Sequence, residues 1–205
     1  MPDKRPIFIT GIGTGIGKTI ISAILTEKLK ADYWKPVQAG ELDDSDTIKV
    51  RELVSNTTSV FHPETYRLTQ PYSPHKSADL DGITIDMQQF QLPVTENQLL
   101  IEGAGGLMVP LNDGSLVIDL VKQLGAKAIL VSKNYLGSIN HTLLSVAALK
   151  QYGIPLAGII FNGITDSYSE SYILQYTGAK LLGRVPEYPA LSKETIIEAG
   201  SYISL

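Results

Sequence analysis

The chain has 205 residues, 43% of them hydrophobic, a net charge of -4 and no cysteine. That length and apolar content suffice for one packed domain over residues 1–205, while the lack of cysteine excludes disulfides, thiolate metal sites and thiol catalysis. An acidic balance without a long Lys/Arg run argues against a grip on nucleic acid or an anionic membrane, and no apolar run reaches membrane-spanning length, so small-molecule partners and a cytoplasmic location are expected.

The first apolar run, Pro6 to Thr10, reads as a strand. It leads into Gly11-Ile12-Gly13-Thr14-Gly15-Ile16-Gly17-Lys18-Thr19 and then a helical pattern from Ile20 to Leu29. In a strand, glycine-rich loop and helix of this kind, backbone N–H groups converge on phosphate oxygens and the helix N-terminus adds positive potential. Lys18 can then reach the terminal phosphates and the Thr19 hydroxyl can ligate magnesium. Five residues lie between Gly11 and Gly17, one more than in the common phosphate loop. The dinucleotide fingerprint fits worse, since Ile16 stands at its third glycine and Lys35 where a ribose-binding acid belongs; Asp32 has the spacing but opens the second strand.

That second strand, Tyr33 to Val37, places Lys35-Pro36 at its end, aimed at the same crevice as the phosphate loop. A second cation there could hold an anionic acceptor in line with the terminal phosphate. A surface lysine at a strand end would look the same. In Asp43-Asp44-Ser45-Asp46, Asp46 could supply a carboxylate for magnesium, although a solvated helix cap explains the run equally well. The stretch from Thr57 to Pro93, rich in Pro, Ser, Thr and Gln, breaks the regular alternation and reads as a lid or substrate-side loop.

The run Gln98 to Glu102 ends in an acid followed by Gly103-Ala104-Gly105-Gly106, where the backbone can come close to a ligand. Glu102 with Thr19 would make a hard-oxygen site suited to magnesium. Further strands are expected at Ala128 to Lys133, Leu156 to Asn162 and Leu182 to Pro186, with helices from Ser22, Ser45, Leu116, Ile139, Tyr168 and Lys193. This βα alternation predicts an α/β fold, a doubly wound and mainly parallel sheet with ligands beyond the carboxyl ends of its strands. Gly137-Ser138-Ile139-Asn140-His141 opens one helix; its N–H groups could hold a carboxylate, or Ser138 could serve as a plain cap. Tyr168, Tyr172 and Tyr176 recur at helical spacing, more in keeping with core or subunit contact than with base stacking.

The long phosphate loop, Trp34-Lys35-Pro36-Val37, Ser73-Pro74-His75, Glu102-Gly103-Ala104-Gly105-Gly106, Leu136-Gly137-Ser138-Ile139-Asn140-His141 and Asn162, in this order, resemble dethiobiotin synthase over nearly the whole chain. The resemblance implies a P-loop NTPase-like fold that uses ATP and Mg2+ to carboxylate diaminopelargonic acid with CO2 and close a cyclic urea through a phosphorylated carbamate. It implies Lys18 and Lys35 as catalytic residues, and Thr19, Asp46 and Glu102 as magnesium ligands. ATP would contact Gly13, Thr14, Gly15, Ile16, Gly17, Lys18, Thr19 and Ile20, together with Asp46, Glu102, Gly103, Ala104 and Gly105. Asn162 and Gly163 would read the adenine, and Pro186, Glu187 and Tyr188 would flank base and ribose. Gly137, Ser138 and Asn140 would bind the substrate carboxylate across a homodimer interface, so by the resemblance Ser138 is a ligand and not a plain cap. Ala39 stands at a substrate position where the family has Ser or Thr, so one hydroxyl to the substrate is missing or replaced by Gln38, and Gly13 and Gly15 stand where some members carry acids. A related P-loop ATPase switch acting on a protein partner is the alternative, although many such relatives carry a lysine within the loop and Gly11 to Gly17 holds none.

Overall fold

The computed structural model describes residues 4–205. The chain runs β1 (Ile7–Gly11), α1 (Lys18–Leu29), β2 (Asp32–Trp34), β3 (Val37–Ala39), α2 (Asp46–Leu53), β4 (Phe61–His62), β5 (Tyr66–Leu68) and α3 (Pro74–Leu80). It continues with β6 (Leu99–Gly106), β7 (Pro110–Asn112), β8 (Ser115–Leu116), α4 (Val117–Gln123), β9 (Lys127–Ser132) and α5 (Ser138–Gln151). The last elements are β10 (Leu156–Asn162), α6 (Ser167–Thr177), β11 (Leu181–Val185) and α7 (Lys193–Gly200).

Seven strands form one sheet in the order β11-β10-β9-β1-β6-β2-β4, and every neighbouring pair is parallel. Strand alternation divides the apolar residues between two faces. Ile7, Ile9, Tyr33, Leu100, Ile129 and Val131 pack with α1, α2 and α7, whereas Phe8, Trp34, Ile101 and Ala128 pack towards α3 and α4. Leu130, Ile159 and Phe161 meet Ile173 of α6 on that second face. Both faces are covered, which is why the strands read as continuous apolar runs. The chain leaves β1 towards β2 and later returns to add β9, β10 and β11 on the other side, so the sheet reverses direction at β1, beside the glycine-rich loop.

Three expectations on element limits are corrected. The strand expected at Tyr33 to Val37 is two strands in two sheets, because Lys35-Pro36 interrupts it and proline has no N–H to give a ladder. Glu102 does not end its strand: β6 runs on through Gly103-Ala104-Gly105-Gly106, and Gly106 pairs with Gly11. The stretch from Thr57 to Pro93, read as a lid or a substrate-side loop, is not a free lid, though part of it does border a cleft. It contains β4, β5 and α3 and buries Leu68, Ala78, Ile85 and Phe90 in the core, while Pro71, Tyr72, Ser73 and Pro74 face that cleft. The tyrosine stripe does not enter the core either, with Tyr168 at 84% and Tyr176 at 70% exposure.

Candidate active site

The cleft, about 810 Å³ in volume, opens beyond the carboxyl ends of β1, β2 and β6. It gathers Thr14, Gly15, Gly17, Lys18, Thr19 and Ile20 from the loop and α1, Lys35 and Ala39 from the chain after β2, Asp46 from α2, and Glu102, Ala104 and Gly105 from β6. Sequence separations of up to 83 residues are closed here to hydrogen-bond distance.

The loop is held in shape by its own backbone and by β10. Gly17 caps α1 with a φ of +92°, and a Cβ there would lie 2.1 Å from the Asn162 side-chain nitrogen, so both conformation and space demand glycine. That nitrogen donates to the Ile16 carbonyl at 2.9 Å. Lys18 Nζ donates to the Gly13 carbonyl at 2.8 Å, lying back across the loop whose phosphate it would meet. Burial, and then the positive charge of Lys35, lower its pKa from the ordinary 10.5 to about 8.

Lys35 and Glu102 are both buried, at 4% and 1% exposure. Lys35 Nζ lies 2.6 Å from Asp46 Oδ2 and 3.1 Å from Glu102 Oε1, and it donates to the Gly103 carbonyl at 3.1 Å. Burial works against its charge, but Glu102 and Asp46 outweigh it and the pKa is raised. Asp46 is lowered despite its own burial, chiefly by Lys35. The helix-cap reading of the run Asp43 to Asp46 holds beside the carboxylate one: Ser45 caps α2 with its side chain, and Asp46 is the acidic first helical residue, its N–H bonded to Gln38 Oε1 at 3.2 Å.

Thr19 Oγ1 stands 3.0 Å from Asp46 Oδ1 and 2.9 Å from Glu102 Oε1. One hydroxyl proton cannot serve both contacts, so three hard oxygens from α1, α2 and β6 crowd together with one short oxygen–oxygen approach left without a proton. This donor set fits a magnesium ion. Among the described residues no cluster of three His, Cys, Asp or Glu side chains is placed to hold a metal, so the remaining ligands would come from phosphate and water, as magnesium prefers.

Two residues near this centre were not singled out for it by sequence. Tyr33, fully buried on β2, donates its hydroxyl to Glu102 Oε2 at 2.9 Å. Gln38 lines the cleft, and its amide donates to the Gly40 carbonyl and accepts from the Asp46 N–H, which ties it to the start of α2. Tyr33 gave no motif signal, since a strand tyrosine reads as core, and Gln38 was named only as a stand-in for a missing hydroxyl.

Of the expected phosphate contacts, Gly13, Ile16 and Gly103 do not line the cleft, and Ile16 is buried in the core; the remaining expected ligands lie in two groups outside it. Asn162 and Gly163 end β10 beside β11, with the Gly163 N–H bonded to the Val185 carbonyl at 2.8 Å. Glu187 follows β11 and meets Lys133 at 3.2 Å, and Tyr188 packs against the core next to Pro186. The turns around this group are tied by the buried Glu170, which accepts from Arg184 and from Asn134 at 2.8 Å. Gly137, not Ser138, caps α5, with a φ of +104°; Ser138 is its buried first residue and Asn140 is exposed.

Phosphate loop, parallel sheet and carboxylate set define a P-loop nucleotide-binding protein. Residues 5–195 match the family model described as "AAA domain". MinD in the MinC:MinD complex of Aquifex aeolicus superposes with a TM-score of 0.61 at 16% identity, over 96% of this chain and 94% of that one. A ParA family ATPase from Chlorobium tepidum gives 0.60 at 11% identity, over 97% and 100%. At such identities the likeness concerns the fold. In sequence the chain is 51% identical over 194 residues to the ATP-dependent dethiobiotin synthetase BioD of Christiangramia forsetii, covering 95% of this chain and 93% of that protein. The corresponding enzyme of Cytophaga hutchinsonii is 50% identical over 193 residues, with 94% and 93% covered, and that of Chlamydia felis 44% over 190 residues, with 93% and 89% covered. The chain belongs to the ATP-dependent dethiobiotin synthetase family.

Proposed function

We infer that this protein is an ATP-dependent cyclo-ligase of biotin synthesis, converting 7,8-diaminononanoate, CO2 and ATP to dethiobiotin, ADP and phosphate. The observation that carries the reading is the meeting of Lys18, Lys35, Thr19, Asp46 and Glu102 in one cleft, in a chain so similar to dethiobiotin synthetases. A magnesium ion held by Thr19, Asp46 and Glu102 would neutralise charge on the triphosphate.

One substrate amine attacks CO2 and loses a proton, giving a carbamate. A carbamate oxygen takes the terminal phosphoryl group as its bond to ADP breaks. The second amine then attacks the carbonyl carbon, expels phosphate and closes the ring. The protein contributes position and charge. Lys18 turns from the Gly13 carbonyl to the transferring phosphoryl oxygens. Lys35 has all three protons engaged, so it holds the carbamate by exchanging one of them; Asp46, 23% exposed against 1% for Glu102, is the partner next to the open cleft. The walls beyond Lys35 include Val37, Pro71, Tyr72 and Val109, which suit an alkyl chain. The loop and strand residues Thr14, Gly15, Ile20, Ala104 and Gly105 line the phosphate path, to which Gly13, Ile16 and Gly103 would add backbone groups only, with adenine beside Asn162 and Gly163 and the ribose near Pro186, Glu187 and Tyr188.

Gly137, Ser138 and Asn140 lie outside the cleft of their own chain. A carboxylate role for them requires a second subunit, and the apolar exposure of Leu136 and Leu144 around this helix start supports a homodimer with a shared site. No helix among the described residues is long and apolar enough to cross a membrane; a cytoplasmic enzyme drawing on cellular ATP is the proposed setting, working as one ATP-binding domain over residues 1–205.

Phosphate release with ATP, magnesium and bicarbonate, with and without the diamine, tests the reading. Diamine-dependent release and a product heavier by one carbonyl and lighter by two hydrogens are expected; release indifferent to the diamine would overturn it.

A further inference from the structure

Tyr33 sits opposite Leu100 in the β2–β6 ladder, and Glu102 follows two residues on along β6, on the same face of the sheet. From there the tyrosine leans along the strand and gives its hydroxyl proton to Glu102 Oε2 at 2.9 Å. Its ring already has an apolar place, tilted against Phe61 with centroids 6.1 Å apart, which phenylalanine would fill as well. A hydroxyl taken out of water in such surroundings is costly unless hydrogen-bonded, and the carboxylate is what it bonds. Thr19 and Lys35 both approach the other oxygen, Oε1. Glu102 is thus gripped from behind through one oxygen, with the other turned to the cleft.

We propose that Tyr33 is a positioning residue for the metal carboxylate: its hydroxyl fixes the orientation of Glu102, and so sets the affinity of the Thr19, Asp46 and Glu102 oxygens for a divalent cation. The inference rests on the magnesium role assigned above to these three residues. Outer hydrogen bonds of this kind orient a ligand that would otherwise sample several rotamers, and their loss typically costs about tenfold or more in metal affinity.

The test is Mn2+ titration followed by electron paramagnetic resonance, with ADP present, on the full chain, on Tyr33→Phe and on Phe61→Leu. Phe61→Leu disturbs the packing around the ring and spares the hydroxyl. For Tyr33→Phe an affinity about tenfold weaker is expected, with the melting temperature near that of the parent; Phe61→Leu is expected to melt lower and keep its Mn2+ affinity. Equal Mn2+ affinity in Tyr33→Phe and the parent overturns the proposal, as does an equal loss in both variants or a Tyr33→Phe chain that does not fold, since the hydroxyl would then serve the fold. If the parent chain with ADP binds no Mn2+, the metal reading itself fails, a result separate from any difference among variants.

Discussion

The side-chain amide of Asn162, at the end of β10, holds the carbonyl of Ile16 at 2.9 Å, so the strand that leads to the proposed base site also braces the phosphate loop. Replacing Asn162 by Ala removes that brace and, on the proposed function, a contact to adenine as well. ATP affinity is expected to fall about tenfold, the effect of a lost buried hydrogen bond of about 1–2 kcal/mol. Inorganic tripolyphosphate, which has no base, is expected to lose less. Calorimetry with both ligands separates the roles: equal losses would remove the base contact, and a loss confined to ATP would remove the brace.

Lys18 makes ATP binding depend on pH. Its pKa of about 8, lowered by burial and then by Lys35, means that the free protein sheds this proton as pH rises through that value. A bound triphosphate favours the charged lysine and raises its pKa, so above about pH 8 binding takes up a proton and weakens with rising pH. Binding enthalpies measured at about pH 8.5 in buffers of different ionisation enthalpy are expected to differ, and in Lys18→Arg, charged throughout, this dependence is expected to disappear. A parent protein without buffer dependence would contradict the assignment.

Lys35 separates carbamate use from ATP binding. In Lys35→Ala, turnover is expected to fall at least about a hundredfold, the scale of losing one preorganised charge at a reacting centre, with ATP affinity little changed. Asp46 and Glu102 would also face each other without their shared cation, costing about 3–5 kcal/mol of stability in the absence of magnesium. Equal losses of ATP binding and turnover would refute the role of Lys35 as acceptor holder.

A shared substrate site can be shown by mixing two inactive proteins. Lys35→Ala and Asn140→Ala would damage different halves of the proposed two-chain site. On reassembly the mixed dimers regain one intact site, about a quarter of parental activity for random pairing. No recovery, in a mixture shown by mass to have exchanged subunits, would place the site within one chain.

Asp32 acts at the opposite end of β2. It accepts from the Val60 N–H and Asn97 Nδ2, both at 2.9 Å, and from Thr95 Oγ1 at 2.6 Å. Burial opposes its charge, yet these hydrogen bonds prevail and its pKa lies below the ordinary 3.8. A carboxylate lowered by folding adds stability that is fully present above its unfolded value and lost as pH falls through the folded one. Asp32→Asn is expected to cost about 2 kcal/mol at neutral pH, and the difference in denaturant midpoints should narrow below about pH 3.8. A difference constant with pH would show that the charge is immaterial.

Glycine spacing before Lys18 and Thr19 made the phosphate loop legible, because few other structures need that pattern next to a strand. Glu102 was legible as an acid closing an apolar run, although its strand continues past a shift of register to Gly106, which pairs again with β1. The break in the second strand at Pro36 was missed, because the apolar pattern from Tyr33 to Val37 concealed it. Tyr33 was not legible, because hydrophobicity places its ring and says nothing of where its hydroxyl points. The approach of Pro71 to Pro74 to the cleft depends on the path of the chain through β4, β5 and α3, which no local pattern encodes. Asp32 was read only for its spacing from the loop, and its partners lie 28 to 65 residues away.

β6 is paired on both sides, with β1 and with β2, and it carries Glu102 between the loop that presents Thr19 and the strand that precedes Lys35. Phosphate chemistry would therefore be built on the sheet's interior, while the proposed sites for adenine and for the substrate carboxylate lie in the turns after β10 and β11 and at a helix start near the surface. Nucleotide preference and acceptor shape can thus drift through peripheral substitutions in evolution while the phosphoryl-transfer centre is inherited unchanged.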